Sequence, residues 1–233
     1  MAEEALDRYR RAGGMPVHVD GDRLRMYHPD YARLARTDPA RAFAVSQPFS
    51  SRWADGLCDA AIDRRLDIVV EGLFKTQANT AALLDRLAAS GYEVGLVAKI
   101  IPAPVSLLQI ERRFERQMSG ERNREAVPRR VDAAAHDVAY RALERLVALF
   151  ENRGLGAGIS LRDIDNVPLP PPANGVPWTS VVTSVRSQPL PDRERAFCMK
   201  VLDEVLRLRL DRGAPEDPET GSALESALAL LAG

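Results

Sequence analysis

Two short apolar segments that end on carboxylates constrain the fold of this chain more than any other feature. Residues 17–22 read Val-His-Val-Asp-Gly-Asp, and residues 67–72 read Asp-Ile-Val-Val-Glu-Gly. Each pattern is typical of a short buried strand that stops at a turn. Because ligands of an open α/β sheet bind outside the carboxyl ends of the strands, the two acidic ends should lie at a site. They predict a site for a Mg²⁺-nucleotide or for phosphoryl transfer.

The first 166 residues alternate predicted strands with predicted helices, which indicates an α/β fold with a doubly wound, mostly parallel sheet. Ser50 and Ser51 are expected to cap one of these helices, and Thr76 the next. The apolar spacing predicts helices over 2–12, 30–36, 51–65, 77–90, 104–118 and from Pro128 to about 151, and strands over 17–20, 67–71, 92–101 and 159–164.

The composition changes after residue 166, where a proline-rich run predicts a stiff linker. We therefore predict one domain over 1–166 and a helical C-terminal extension over 167–233. Within the extension the sequence predicts a linker at 167–172, a strand at 176–185, an amphipathic helix at 192–212 and a weak helix at 222–232.

The composition limits the classes of partner and location. A net charge of −1 gives no support for a nucleic-acid or acidic-lipid partner. No apolar run approaches the roughly 20 residues that span a bilayer, and the charged N-terminal residues do not resemble a signal peptide. Cys58 and Cys198 are predicted to be buried free thiols, which is consistent with a cytoplasmic location. The three histidines form no recognisable zinc or catalytic motif, so no metal ligand is assigned.

A phosphoryl-transfer site of this kind normally includes a Gly-rich P-loop that ends in Gly-Lys-Ser/Thr. The sequence has only three lysines, and they follow Phe, Ala and Met: Lys75, Lys99 and Lys200. The 233 residues therefore contain no P-loop motif.

The segment 111–130 is rich in arginine and has two interpretations. Its acidic and basic residues can form i,i+4 pairs on a solvated helix face. Alternatively, the segment is a mobile lid whose guanidinium groups contact the transferred phosphoryl group, where charge spreads in the transition state.

The order of several short motifs resembles the zeta toxin family over about residues 2–165. The motifs are Asp-Gly-Asp, His-Pro-Asp-Tyr, Gln-Pro-Phe-Ser-Ser-Arg, Val-Val-Glu-Gly, Ile-Glu-Arg-Arg, and Val-Pro with a downstream Ala-His-Asp. Members of this family are P-loop kinases that phosphorylate UDP-N-acetylglucosamine and are often paired with an epsilon-type antitoxin. The resemblance implies a P-loop kinase-like fold, ATP and Mg²⁺ as cofactors, a nucleotide-sugar substrate and an antitoxin partner.

The resemblance also implies roles for residues around the acceptor. Asp22 matches the family's catalytic base, which acts on the sugar 3′-hydroxyl. Glu71 matches a carboxylate near substrate and metal, and Ser50 lies in the matching substrate-side turn. Asp55 falls where the family usually has a substrate-binding Glu, and Lys75 falls where it often has Arg. The shorter acid at 55 changes the reach of the side chain, and the lysine keeps the charge without the planar fork.

The same resemblance assigns the lid arginines, which would bind ATP and assist transfer. Arg112 matches the first of them. The second precedes the Val-Pro element, and Arg124 is the best match, with Arg122 as the alternative.

In the family the P-loop comes directly before the helix that matches residues 2–12. We therefore expect this chain to begin late, at an internal methionine, with the first strand and the P-loop missing. As written, it is expected to transfer phosphate poorly or not at all. Two alternatives stay open: a catalytically inactive homologue that acts as a binding protein, and a kinase for another small hydroxyl substrate.

Overall fold

The structure, a computed structural model, describes residues 2–120, 131, 133–213, 224, 225 and 228. The chain divides into two compact units, Met1–Gly95 and Leu96–Gly233. The first unit contains α1 (Ala2–Arg11), β1 (Val17–Asp20), α2 (Gly21–Leu24), a 3₁₀ turn (Arg25–Tyr27), α3 (Tyr31–Thr37), α4 (Pro39–Asp63), β2 (Ile68–Glu71) and α5 (Gln77–Ala89). The second contains β3 (Leu96–Lys99), α6 (Ala103–Met118), α7 (Ala133–Asn152), a 3₁₀ turn (Gly156–Gly158), β4 (Ile159–Arg162), α8 (Trp178–Ser187) and α9 (Asp192–Asp211).

In the first unit, β1 and β2 pair in parallel, as the sequence predicts. The register places Val17 beside Ile68 and Asp20 beside Glu71. Because both strands stop at this last pair, their terminal carboxylates become neighbours at one edge of the ladder. Val19 is almost fully buried and anchors this pair in the core.

In the second unit, β3 and β4 also pair in parallel, from Leu96 beside Ile159 to Lys99 beside Arg162. Parallel strands joined by helices confirm the predicted α/β class. The predicted strand over 92–101 is too long. Tyr92 instead belongs to the turn that follows α5, where its amide donates to the Leu87 carbonyl, and β3 begins only at Leu96.

Helix α4 corrects the predicted helix over 51–65, since it begins twelve residues earlier at Pro39. Asp38 caps it by accepting a hydrogen bond from the Arg41 amide at 3.0 Å. The helix continues through Pro48, which lacks an amide hydrogen. Ser50 therefore lies inside the helix and does not cap it, and neither does Ser51. Thr76 does occupy the N-cap position of α5, but its side chain makes no capping hydrogen bond.

The segment 176–185, predicted as a strand from its loose alternation, lies largely in the helix α8 (Trp178–Ser187). Trp178 and Val182 lie one turn apart on this helix, and both are buried. The carboxylate of Glu151 accepts hydrogen bonds from the backbone amides of Trp178 and Thr179, which caps the helix from another element. Tertiary contacts therefore override the local β-propensity.

One apolar cluster of the second unit lies between α6 and α9. Val105 and Leu108 of α6 pack in one cluster with Val201 and Val205 of α9 and with Cys198. Cys58 and Cys198 are both buried free thiols, as predicted. Pro128 and most of the predicted helix at 222–232 lie outside the described residues. Among the described helices, none is long and apolar enough to cross a membrane.

Candidate functional site

The candidate site lies at the carboxyl ends of β1 and β2 in the first unit. Asp20 is the N-cap of α2, because its Oδ1 accepts hydrogen bonds from the amides of Asp22 at 2.9 Å and Arg23 at 3.2 Å. This cap places Asp22 in the first turn of α2, where an acidic side chain is also favoured by the helix dipole. The Asp22 side chain is 70% exposed and therefore accessible to a ligand.

Three side chains at the strand ends form a group that could hold a metal ion. His18 and Asp20 alternate along β1, so they project from one face, and Glu71 lies beside Asp20 in the ladder. Their ligand atoms all lie within 4.8 Å of one another. His18 Nε2 is 3.2 Å from Glu71 Oε2.

The donor set of this group can be compared with the Mg²⁺ that the resemblance implies. Mg²⁺ uses one or two carboxylates and keeps several waters, which Asp20 and Glu71 fit. The imidazole of His18 instead suits Zn²⁺ or a similar transition metal. The two carboxylates are thus the residues that would hold Mg²⁺, with His18 as a hydrogen-bonding neighbour of Glu71.

Arg25 is a residue of the site that the sequence interpretation missed. Its Nε donates to Asp22 Oδ1 at 2.9 Å, although the arginine is buried and the aspartate is exposed. The one available sequence signal was the i,i+3 spacing of an acidic and a basic residue, which is typical of a helical pair. That spacing is common on surfaces, so it did not single out Arg25.

The remaining predicted substrate-binding residues of the first unit differ in accessibility. Asp55 on α4 and Lys75 after β2 are both exposed. Ser50 is buried, and its hydroxyl donates to the Gln47 carbonyl at 3.1 Å. The structure therefore brings Asp20 and Glu71 together, with Asp22 two residues after Asp20. The Ser50 hydroxyl instead bonds to a carbonyl of its own helix. The roles of these residues in binding stay predictions.

The first predicted lid arginine lies in the second unit, on α6. Arg112 is partly buried, and its Nη1 is 4.0 Å from Glu204 Oε2 on α9. Its guanidinium also lies 5.5 Å from the centre of the Phe197 ring. Contacts with α9 therefore hold this arginine in the described structure. Arg124 and Arg122 lie outside the described residues.

Comparisons with known proteins show the family and the fold of this chain. The sequence model of the zeta toxin family matches residues 1–166. The chain belongs to the zeta toxin family. It is 23% identical to a Toxin zeta of Enterococcus hirae over 161 residues, which cover 69% of this chain and 55% of that protein. It is 22% identical to a Toxin zeta of Streptococcus pyogenes, with the same coverage. The chain thus spans about half the length of the curated relatives that it matches.

A solved structure from the PezAT chromosomal toxin-antitoxin system of Streptococcus pneumoniae is also similar to the chain. The TM-score is 0.70 at 18% identity, and the match covers 88% of this chain and 81% of that one. At this identity the likeness concerns the fold alone. It confirms the predicted P-loop kinase-like α/β fold class.

Proposed function

We propose that this protein is an ATP-dependent phosphotransferase that phosphorylates a hydroxyl of UDP-N-acetylglucosamine. The observation that carries the proposal is the position of Asp22. It is an exposed carboxylate in the helical turn that directly follows a parallel strand, with Arg25 on one of its oxygens. Membership of the zeta toxin family supports this assignment.

In the proposed reaction, Asp22 accepts the proton of the attacking sugar 3′-hydroxyl. The hydroxyl oxygen forms a bond to the γ-phosphorus of ATP, the bond from that phosphorus to the bridging oxygen breaks, and ADP leaves. Glu71, at the end of the neighbouring strand, orients the acceptor. Asp55, Lys75 and Ser50 are the further candidates for acceptor binding. Each of these groups contributes by positioning rather than by covalent chemistry.

The phosphate side of the reaction is assigned to the predicted lid arginines and to a metal. Arg112 and Arg124 would neutralise charge on the transferred phosphoryl group. Bound Mg²⁺ supplies further neutralisation of the phosphate charge, and Asp20 and Glu71 are the carboxylates that would hold it. An antitoxin protein is proposed as the partner, and the cytoplasm as the location.

The test is to incubate the protein, expressed from its own locus, with ATP and Mg²⁺. A panel of acceptors would include UDP-N-acetylglucosamine, UDP-glucose, an aminoglycoside and a nucleoside. The expected product is singly phosphorylated UDP-N-acetylglucosamine, identified by mass and by ³¹P NMR. Phosphorylation of another acceptor alone would overturn the assigned substrate and retain the reaction class.

A second candidate function is binding of the nucleotide sugar without turnover. The observation that favours it is the absence of a Gly-x-x-x-x-Gly-Lys-Ser/Thr motif from the 233 residues. Calorimetric binding of UDP-N-acetylglucosamine without any phosphorylated product would favour this function over the first.

A further inference from the structure

Arg25 is buried to a degree that is rare for an arginine. Its side chain is only 6% exposed, although it lies in a short turn beside the exposed Asp22. A buried guanidinium is costly unless its donors are satisfied and its charge is balanced. The partners of Arg25 therefore indicate what its burial achieves.

Every nitrogen of the guanidinium makes a hydrogen bond. Nε donates to Asp22 Oδ1 at 2.9 Å, and Nη2 donates to the side-chain oxygen of Gln47. Nη1 lies 3.4 Å from both the Phe43 carbonyl and the Ser46 hydroxyl. Three of these partners belong to α4, and only Asp22 carries a formal charge. The group is therefore fixed to a long helix and directs one donor at the carboxylate.

The guanidinium also lies over an aromatic ring of α4. Its central carbon lies 3.9 Å from the centre of the Phe43 ring, within the range of a cation–π contact. The ring and the hydrogen bonds together restrict the movement of the guanidinium. A lysine could reproduce the charge but neither the plane nor the fork.

We propose that Arg25 is a positioning residue that orients Asp22 for proton transfer, an inference that rests on the proposed function. By holding Oδ1, the guanidinium restricts the rotation of the carboxylate at the carboxyl end of β1, where the acceptor hydroxyl would bind. Helix α4 serves as the rigid support through Gln47, Ser46 and Phe43. Arg25 thereby keeps the base, Asp22, in its reactive geometry. Arg25 itself would contact neither ATP nor the sugar.

A purely structural role makes a different prediction. If Arg25 only joined the turn to α4, its loss would change stability and would leave turnover by the folded protein unchanged. A positioning role predicts a lower kcat in protein that is still folded, with little change in KM, because the acceptor contacts are intact. Misplacing a reacting group by about 1 Å can cost on the order of 100-fold in rate.

The experiment compares Arg25→Gln, Arg25→Lys and the matched control Arg23→Gln, a neighbouring arginine whose side chain is exposed. Each variant is made in the full protein from its own locus, and its fold is checked by circular dichroism. Arg25→Gln is expected to lower kcat about 100-fold and Arg25→Lys about tenfold, with KM within about threefold of wild type. Arg23→Gln is expected to keep both parameters.

Wild-type kcat in folded Arg25→Gln would overturn the inference. Should Arg25→Gln fail to fold, Arg25→Lys decides, since a wild-type kcat in that variant removes any need for the fork. Failure of the proposed function gives a separate result, in which wild-type protein makes no product or Asp22→Asn retains turnover. The inference about Arg25 is therefore wrong by itself only if Asp22→Asn abolishes turnover while Arg25→Gln keeps the wild-type kcat.

Discussion

At the scale of single residues, the most buried charge of the described chain is Glu115 on α6. Its side chain is fully buried, and Oε2 accepts from Arg212 Nε at 2.7 Å while Oε1 lies 3.1 Å from Arg209 Nη1. The hydrogen bond to Glu115 raises the pKa of the Arg212 guanidinium further above its usual range. Glu115 thus balances the charges of two arginines between α6 and the C-terminal end of α9. Removing its charge takes this carboxylate away from both of them.

We expect Glu115→Gln to lower the free energy of unfolding by about 2–3 kcal/mol. This is less than for a fully buried pair, because both arginines reach solvent. The matched control is Asp203→Asn, an exposed acid on α9, which should change stability by less than about 0.5 kcal/mol. Urea unfolding of both variants measures the difference. Equal stabilities would contradict a role for the buried ion pair.

His136 gives the fold a predicted dependence on pH. Its imidazole is buried, Nε2 lies 3.0 Å from the Ser106 hydroxyl, and Asp137 and Arg186 are its charged neighbours. Burial disfavours the charged form and lowers the pKa of His136 below its ordinary value of 6.5. The unfolded chain therefore takes up this proton at a higher pH than the folded chain does.

The stability contributed by neutral His136 is complete above pH 6.5 and is lost as the pH falls from there toward the lowered pKa. We expect the free energy of unfolding to decrease more between about pH 7.5 and pH 5.5 in wild type than in His136→Gln. Urea unfolding at the two pH values measures this decrease in the free energy of unfolding for both proteins. The same pH dependence in both proteins would show that this histidine does not contribute.

At the scale of elements, the cap at the start of α4 is expected to contribute to the stability of the fold. Asp38 makes a capping hydrogen bond to the Arg41 amide, whereas Thr76 occupies the same position of α5 without one. Asp38→Ala is expected to cost about 1 kcal/mol, and Thr76→Ala only a few tenths. Thermal unfolding of the two variants measures this difference. Equal losses would contradict the capping role of Asp38.

The elements also explain which parts of the fold could be predicted from the sequence. β1 and β2 were predictable because short apolar segments with acidic ends leave few other structures for 17–20 and 67–71. α4 was not, because Pro48 and the two serines after it resemble a helix start. Its actual start depends on Asp38, and the helix carries Pro48 inside it.

The prediction of a strand over 176–185 was wrong for a different reason. Its valines and threonines favour a strand locally, but the capping carboxylate comes from Glu151, which is 27 residues away from Trp178. In the same way, Asp22 could be selected as a candidate site residue from a sequence motif. Arg25 could be selected only from its contacts with α4 in the structure. Long-range partners of this kind have no signature in one sequence.

At the scale of the whole molecule, the second unit depends on residues beyond those that the family model matches. The match ends at residue 166, and α9 supplies the apolar side chains that cover Val105 and Leu108. Burying each such side chain stabilises a fold by about 1.5–3 kcal/mol. The predicted domain limit at 166 stays a prediction, and the contacts between α6 and α9 provide its test.

We expect a chain that ends at residue 166 to be insoluble or unfolded. It loses the apolar cover of α6 and leaves Glu115 without its two arginines. A chain that ends at residue 213 retains α9 and is the matched control, expected to stay folded. Circular dichroism and gel filtration distinguish the two. A folded, monomeric 1–166 chain would show instead that the extension is dispensable.

The most direct test of the account is the role of Asp22 in the full protein from its own locus. The rate of the first turnover with ATP and UDP-N-acetylglucosamine is measured for wild type and Asp22→Asn, together with the calorimetric Kd of the nucleotide sugar. Loss of the base should lower the rate by about 10²–10⁴-fold, with Kd within about threefold of wild type. A first-turnover rate in Asp22→Asn within about tenfold of wild type would contradict Asp22 as the base.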